Sequence, residues 1–215
     1  MQPFVPARAA ALAQLAAFLP SSGSHYANER NADRGPARRD NVSLLSPAVR
    51  HRLIAEDEIV RAVLDRFAFS TSEKFIQEVC WRTYWKGWLE MRPQVWRSWR
   101  QRVHELRMSL PNDVLTRAQE VSEGRSGVAV MDHFARELRE TGYLHNHARM
   151  WWASFWIHAE RLPWELGAEF FFQHLLDADG RRGQQPAHPG HRSGAGGGGV
   201  PPVRQPGGLQ RRHAR

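Results

Sequence analysis

Glu78 and Arg82 stand four residues apart, with Phe75, Trp81, Trp85 and Trp88 spaced around them. Phe75, Glu78, Arg82 and Trp85 recur at steps of three and four, so on a helix they share one face. A carboxylate and a guanidinium at i, i+4 form by default a solvated surface pair contributing ~0.3–0.5 kcal/mol. With apolar Val79 and Trp81 as neighbours, the same face also suits the lining of a cleft. A second polar set, Asn146, Arg149 and Met150, lies in another stretch beside Trp151, Trp152 and Trp156. All nine tryptophans fall within 81–164, and six of them belong to these two stretches. Two readings stay open for them: packing in the core and surface grooves, or walls of a pocket for a flat aromatic ligand. His145 and His147 invite a metal reading. At i, i+2 they face different ways on a helix and no acid nearby completes a ligand set, so no metal is expected. The sequence contains no Gly-x-Gly-x-x-Gly, no phosphate-binding P-loop and no Gly-x-Ser-x-Gly. A dinucleotide fold of the usual kind, a nucleotide triphosphatase and an α/β-hydrolase therefore lack support.

The elements that must carry these residues read as helices throughout. Helical spacing of apolar residues covers 6–19, and 25–40 is a polar loop rich in Gly, Pro and Asn. Ser46 and Pro47 suit the N-cap and first turn of a short helix. Ile59, Val60, Val63, Leu64 and Phe67 mark one apolar stripe over 56–67. Ser70 with Glu73 forms a capping box that opens a long helix to about residue 92, ahead of Pro93. Further helices are expected over 93–106, 111–120, 128–141, 145–161 and 163–176. Gly142 supplies a left-handed cap and Pro163 a first helical residue. No stretch keeps the period of two that a strand requires, so the fold class is all-α.

The composition narrows the class of protein further. The chain has 215 residues, 41% hydrophobic and 24% charged, the balance of a soluble globular protein. No window is long and apolar enough for a membrane span, and the N-terminus lacks the basic start of a signal peptide. A single cysteine, Cys80, excludes an intramolecular disulfide. A cytoplasmic monomer is the expectation. The net charge of +8 is misleading, because residues 180–215 hold seven Arg and no acid, leaving +1 for the rest. That segment has ten Gly and five Pro among its 36 residues. It reads as a disordered basic tail behind a helical domain over 1–179.

At these residues a resemblance becomes specific. Tyr26 and Arg30 in His-Tyr-Ala-Asn-Glu-Arg resemble the Tyr-x-x-x-Arg of the DNA photolyase/cryptochrome family. Val42-Ser43-Leu44-Leu45-Ser46-Pro47 resembles its Thr-Ser-x-Leu-Ser-Pro, and Phe75 to Arg82 its aromatic-x-x-Glu-x-x-Trp-Arg. Gly127 to Asp132, followed by Thr141-Gly142-Tyr143-Leu144-His145-Asn146-His147-Ala148-Arg149-Met150, resembles its Thr-Gly-x-x-His-Asn-Arg-x-Arg-Met region. Ala153-Ser154-Phe155, Trp164-Glu165-x-Gly-x-Glu169 and Asp177-Ala178-Asp179 complete the series in the family's order. Residues 26–179 are thus similar to the helical flavin-binding domain of that family.

The resemblance implies an FAD held in a bent conformation. Tyr26, Ser43, Leu45 and Ser46 would hold its ribityl-phosphate part. Phe75, Glu78 and Arg82 would lie beside it, and Asn146, Arg149, Asp177 and Asp179 would surround the isoalloxazine. Arg149 and Asp179 are expected to pair. Trp81, Glu78, His147 and Met150 would meet a pyrimidine dimer flipped out of ultraviolet-damaged DNA, with Arg30 also on the DNA side. Trp164 matches a member of the family's electron-transfer tryptophans. The implied activity is light-driven repair by electron transfer from reduced FAD. Val42 stands for Thr and His147 for Arg. After Asp179 the segment 180–215 replaces the family's Asn-rich loop, and Gly183 takes the register of an Asn beside the flavin. The family's N-terminal α/β domain has no counterpart in this sequence. A truncated domain with an incomplete flavin lid is therefore expected, which calls repair activity into question. The alternatives are a cryptochrome-like blue-light sensor, or a remnant that binds neither FAD nor DNA.

Overall fold

The computed structural model describes residues 4–178. Asp179 and the segment 180–215 lie outside the described residues. Among the described residues there are ten α-helices and no strand, as the periodicity requires. The first half comprises α1 (Arg8–Phe18), α2 (Ser24–Glu29), α3 (Ser46–Arg50), α4 (Glu56–Leu64) and the long α5 (Phe69–Glu90). The second comprises α6 (Pro93–Ser109), α7 (Asn112–Ser122), α8 (Ala129–Thr141), α9 (Asn146–Ser154) and α10 (Trp164–His174). No helix among the described residues is long and apolar enough to cross a membrane.

Each half buries its own apolar cluster. Leu15 and Phe18 of α1, Ile59 and Val63 of α4, and Phe75 and Ile76 of α5 close the first cluster around Ile54 and Val49. Three acids open α4, and Glu58 reaches back to accept the Ala55 amide at 2.8 Å, satisfying a donor the helix start leaves free. The second cluster gathers Leu106, Val121, Phe134 and Leu138 around Trp152, Trp156 and Phe170. Here the helix expected over 145–161 changes register: α9 gives way to a π-turn at Phe155–Ala159. Trp156 donates Nε1–H to the Pro163 carbonyl at 2.8 Å, and a Cβ on Gly167 would come within 3.0 Å of its ring.

Several local expectations give way to packing. Part of the polar loop 25–40 is helical as α2, because Tyr26 is buried there and draws the chain into a turn. α5 starts at Phe69 with Ala68 as its N-cap, so Ser70 does not cap it, and Glu73 accepts from Gln77 instead. Leu45, not Ser46, precedes α3, and Pro163 precedes α10 rather than opening it.

A turn fixes each end of α8, and the second leads to the site. Asp132, in the first turn of α8, accepts from Ser126 N and Oγ at 2.6 Å each and from Gly127 N at 3.1 Å. Burial works against its ionisation, but these three donors outweigh it and hold the carboxyl below its ordinary range. At the other end of α8, Gly142 adopts φ +67°, the left-handed cap expected of it. Its carbonyl accepts the Leu176 amide at 2.9 Å, and a Cβ there would stand 2.5 Å from Leu176 Cγ. Gly142→Ala combines a left-handed backbone with this overlap and is expected to cost about 2–3 kcal/mol. Urea unfolding measures it, and a cost under about 0.5 kcal/mol, the range of an ordinary surface substitution, would contradict the turn described.

Candidate functional site

Between the two apolar clusters lies a cleft of about 170 Å³. One wall comes from α2 and the segments around it, with Tyr26, Arg30, Asn31 and the run from Val42 to Ser46. The other comes from the α8–α9 turn, with Tyr143, His145, Asn146 and His147, and Glu78 of α5 stands at its edge. Four separated stretches of sequence thus converge on one space. A larger cavity of about 440 Å³ lies among α6, α7, α8 and α10, lined by Arg107, Leu115, Arg139 and Phe170 among others. None of the proposed cofactor or DNA residues lines it.

Tyr26 is buried edge-on against Phe75, with ring centroids 5.0 Å apart. Burial pushes its phenol up to about 12, the Glu78 carboxylate adds to the rise and the Arg30 guanidinium opposes it. Phe75 lies beneath Tyr26 in the first cluster and does not line the cleft. Ser43 and Ser46 flank a sharp bend at Leu44, whose φ of +54° is rare for a leucine. Such local strain persists only where the surroundings fix it, and it concentrates at ligand clamps.

The carboxylate–guanidinium pair read from spacing is not the one that forms. Glu78 accepts from Arg30 Nη1 at 2.5 Å, bridging α5 to the end of α2. Arg82, half-buried, makes no hydrogen bond or ion pair among the described residues. Burial lowers its pKa, the Asp177 and Glu56 carboxylates oppose that, and Arg149 and Arg52 reinforce it. Arg149 donates Nε–H to the Leu144 carbonyl at 2.8 Å, and its Nη1 stands 3.7 Å from Asp177 Oδ1. Arg82, Arg149 and Asp177 form one charged group. Asp179, the expected partner of Arg149, lies outside the described residues.

The histidines also differ from the spacing argument. His145 is the N-cap of α9 rather than part of it, so its ring comes within 5.6 Å of the His147 ring, centroid to centroid. Among the described residues no three His, Cys, Asp or Glu side chains are placed to hold a metal ion.

The tryptophans divide. Trp152 and Trp156 are core, each 1% exposed. Trp81, Trp85 and Trp151 are more than half exposed, and no tryptophan lines the cleft. Trp81, Tyr84, Trp85 and Trp88 form an edge-to-face ladder along α5, with centroids 5.4–5.9 Å apart. Met150 is 59% exposed on the outer side of α9, and Trp164 is 55% exposed at the start of α10. Sequence reasoning passed over Asn31, Leu44, Tyr143 and His145 as lining residues. The last two lie inside the quoted Thr-Gly stretch, which is the signal that marks them.

The fold and the cleft define a helical flavin-binding domain, and comparison with known proteins agrees. The family model described as the FAD binding domain of DNA photolyase matches residues 75–185. The chain is 32% identical over 189 residues to the deoxyribodipyrimidine photo-lyase of Synechococcus sp., covering 82% of this chain and 37% of that protein. It is 31% identical over 182 residues to the Escherichia coli deoxyribodipyrimidine photo-lyase, covering 79% of this chain and 36% of that protein. A bacterial class III photolyase from Agrobacterium tumefaciens superposes with a TM-score of 0.65 at 25% identity, over 81% of this chain and 36% of that one. The chain belongs to the photolyase/cryptochrome family through its FAD-binding domain, and the cofactor of that domain is FAD. It spans little more than a third of the length of these relatives.

The residues present fit that cofactor. The guanidinium of Arg30 keeps Nε buried without a partner. With two serine hydroxyls in the same cleft, this is a donor set in want of an acceptor, and phosphate oxygens are acceptors only. Asn146, at the head of α9, offers both a donor and an acceptor to a ring edge.

Proposed function

We propose that this chain is the cofactor-holding part of a light-driven lyase that repairs pyrimidine dimers in ultraviolet-damaged DNA. The observation that carries the reading is the convergence of Tyr26, Ser43, Ser46, Glu78 and Asn146 on one cleft, which Arg30, with its Nε buried and unpartnered, also lines. In this reading Tyr26, Ser43, Leu45 and Ser46 hold the ribityl-phosphate portion of FAD. Asn146, Arg149, Asp177 and Asp179 surround the isoalloxazine, with Arg82 beside them. The bound flavin supplies the electron donor that the dimer requires. The chain's own residues orient: Glu78 offers an acceptor at the cleft edge, and Trp81 one turn further along α5 offers an aromatic wall. His147 lines the cleft from α9, and Met150, on the outer side of that helix, would meet the substrate from the solvent side. The relatives named deoxyribodipyrimidine photo-lyase support the substrate class.

The test is direct. Full-length chain incubated with FAD and freed of excess by gel filtration is expected to retain the visible absorption of a bound flavin. Asn146→Ala combined with Ser43→Ala is expected to lose it while keeping the helical circular dichroism signal. A wild-type chain that retains no flavin at saturating FAD refutes the reading.

A further inference from the structure

The cleft wall at Arg30 and Asn31 belongs to no helix, yet it is held in place. His145 is 5% exposed. Its Nδ1 accepts the His147 amide at 3.2 Å, so its proton resides on Nε2. That Nε2–H donates to the Arg30 carbonyl at 3.0 Å, across 115 residues of sequence. His147 Nδ1 donates in the same way to the Asn31 carbonyl at 3.1 Å. Asn41, 1% exposed, donates from Nδ2 to the carbonyls of Glu29 and Ala32 at 2.7 and 2.8 Å. Three side chains thus fix the backbone from Glu29 to Ala32 from two directions. The Arg30 side chain is fixed at its far end by Glu78, its Nε is buried without a partner, and the residue lines the cleft together with Ser43 and Ser46.

A guanidinium anchored at one arm presents its other donors in a set geometry, which suits an anionic oxygen rather than an aromatic ring. We propose that Arg30 binds the diphosphate of the cofactor and that His145 is its positioning residue, acting through the Arg30 carbonyl. The inference rests on the FAD reading above. It places Arg30 on the cofactor side of the cleft rather than the DNA side that the family resemblance implies.

The experiment compares the full chain with His145→Leu, His145→Gln and Arg30→Gln. Binding of FAD and of riboflavin, which has no phosphate, is followed by flavin fluorescence. Tryptic cleavage after Arg38, an exposed residue in the same segment, reports whether the wall is held. Losing one hydrogen bond to a charged partner's backbone is expected to weaken FAD about tenfold in His145→Leu. Riboflavin binding should be unchanged and cleavage faster. His145→Gln, whose amide can donate to Arg30 and accept from His147, should restore both. Arg30→Gln should lower FAD affinity alone. Equal weakening of FAD and riboflavin in His145→Leu, or unchanged FAD affinity in Arg30→Gln, overturns the proposal. If the wild type binds neither flavin, the cofactor reading fails by itself. The role of Arg30 and His145 is then decided by pyrophosphate: protection of Arg38 from trypsin in the wild type but not in either variant upholds it, and no protection ends it.

Discussion

Arg39→Ala is expected to lower the unfolding free energy by about 3–5 kcal/mol, the usual cost of leaving one member of a buried ion pair alone. The side chains of Arg39 and Glu137 are 6% and 1% exposed, and Arg39 Nη2 bonds Glu137 Oε1 across 98 residues of sequence. The other carboxylate oxygen, Oε2, is already buried without a hydrogen bond, with only the His133 ring 3.5 Å away. Arg39 also lies over the Tyr143 ring at 4.3 Å, so the pair ties the wall before Val42 to the wall after α8. Burial pushes the Glu137 carboxyl up, with the Arg39 guanidinium opposing. Without Arg39 the rise grows. A carboxyl whose folded pKa exceeds its unfolded value stabilises below the unfolded value and loses that contribution as pH rises through the folded one. The variant should therefore be closest to wild type in acid and furthest from it at neutral pH. Arg39→Ala/Glu137→Leu, which removes the buried charge, should recover most of the loss. Urea unfolding at two pH values measures all three chains. A penalty below about 1 kcal/mol, within the range of an exposed pair, would mean the pair is not buried in solution.

This pair shows where reading the sequence stops. Arg39 sits in a stretch whose composition announces only a loop, and Glu137 sits in a helix whose apolar stripe is carried by Phe134 and Leu138. Nothing local links two residues 98 apart. The same limit explains Glu78: its spacing to Arg82 is correct for a helix pair, but Arg30 arrives from α2 and outcompetes it. The Ser70 capping box fails for a related reason. α5 begins two residues earlier than its best local signal, and the start at Ala68 has no side-chain cap.

What was legible had a local cause. The stripe of Ile59 and Val63 and the glycine at 142 each encode geometry within a few residues, and the chain folds as they dictate. The cleft was legible through motif stretches in which Tyr26, Ser43, Ser46 and Asn146 each recur near residues of fixed type. The tryptophans were half legible. Abundance signals burial, yet only Trp152 and Trp156 meet the interior. Trp156 fits because Gly167, a turn into α10, leaves room that no spacing rule reveals.

Trp81→Ala is expected to reduce the preference for ultraviolet-damaged over undamaged DNA by about 1–3 kcal/mol, roughly fivefold to a hundredfold, the contribution of one stacked base on an aromatic ring. Trp81 is 54% exposed, one turn beyond Glu78 on α5. Tyr84 meets its ring edge-on at 5.6 Å and 88°, which keeps one face open to solvent. On the proposed reading that face receives the flipped dimer, while Glu78 accepts from the polar edge of its bases. Sequence-independent attraction has a different source. Residues 180–215 carry seven arginines and no acid, and contacts of that kind to phosphates weaken steeply with salt. Removing 180–215 should lower affinity for damaged and undamaged DNA equally and flatten the salt dependence, leaving the preference intact. Trp81→Ala should do the reverse. A competition between damaged and undamaged duplex at two salt concentrations, with FAD present, separates the two effects. If the shortened chain loses discrimination and Trp81→Ala keeps it, the substrate does not meet α5 beside Glu78. If the wild type never discriminates, repair of dimers is not what this cleft serves.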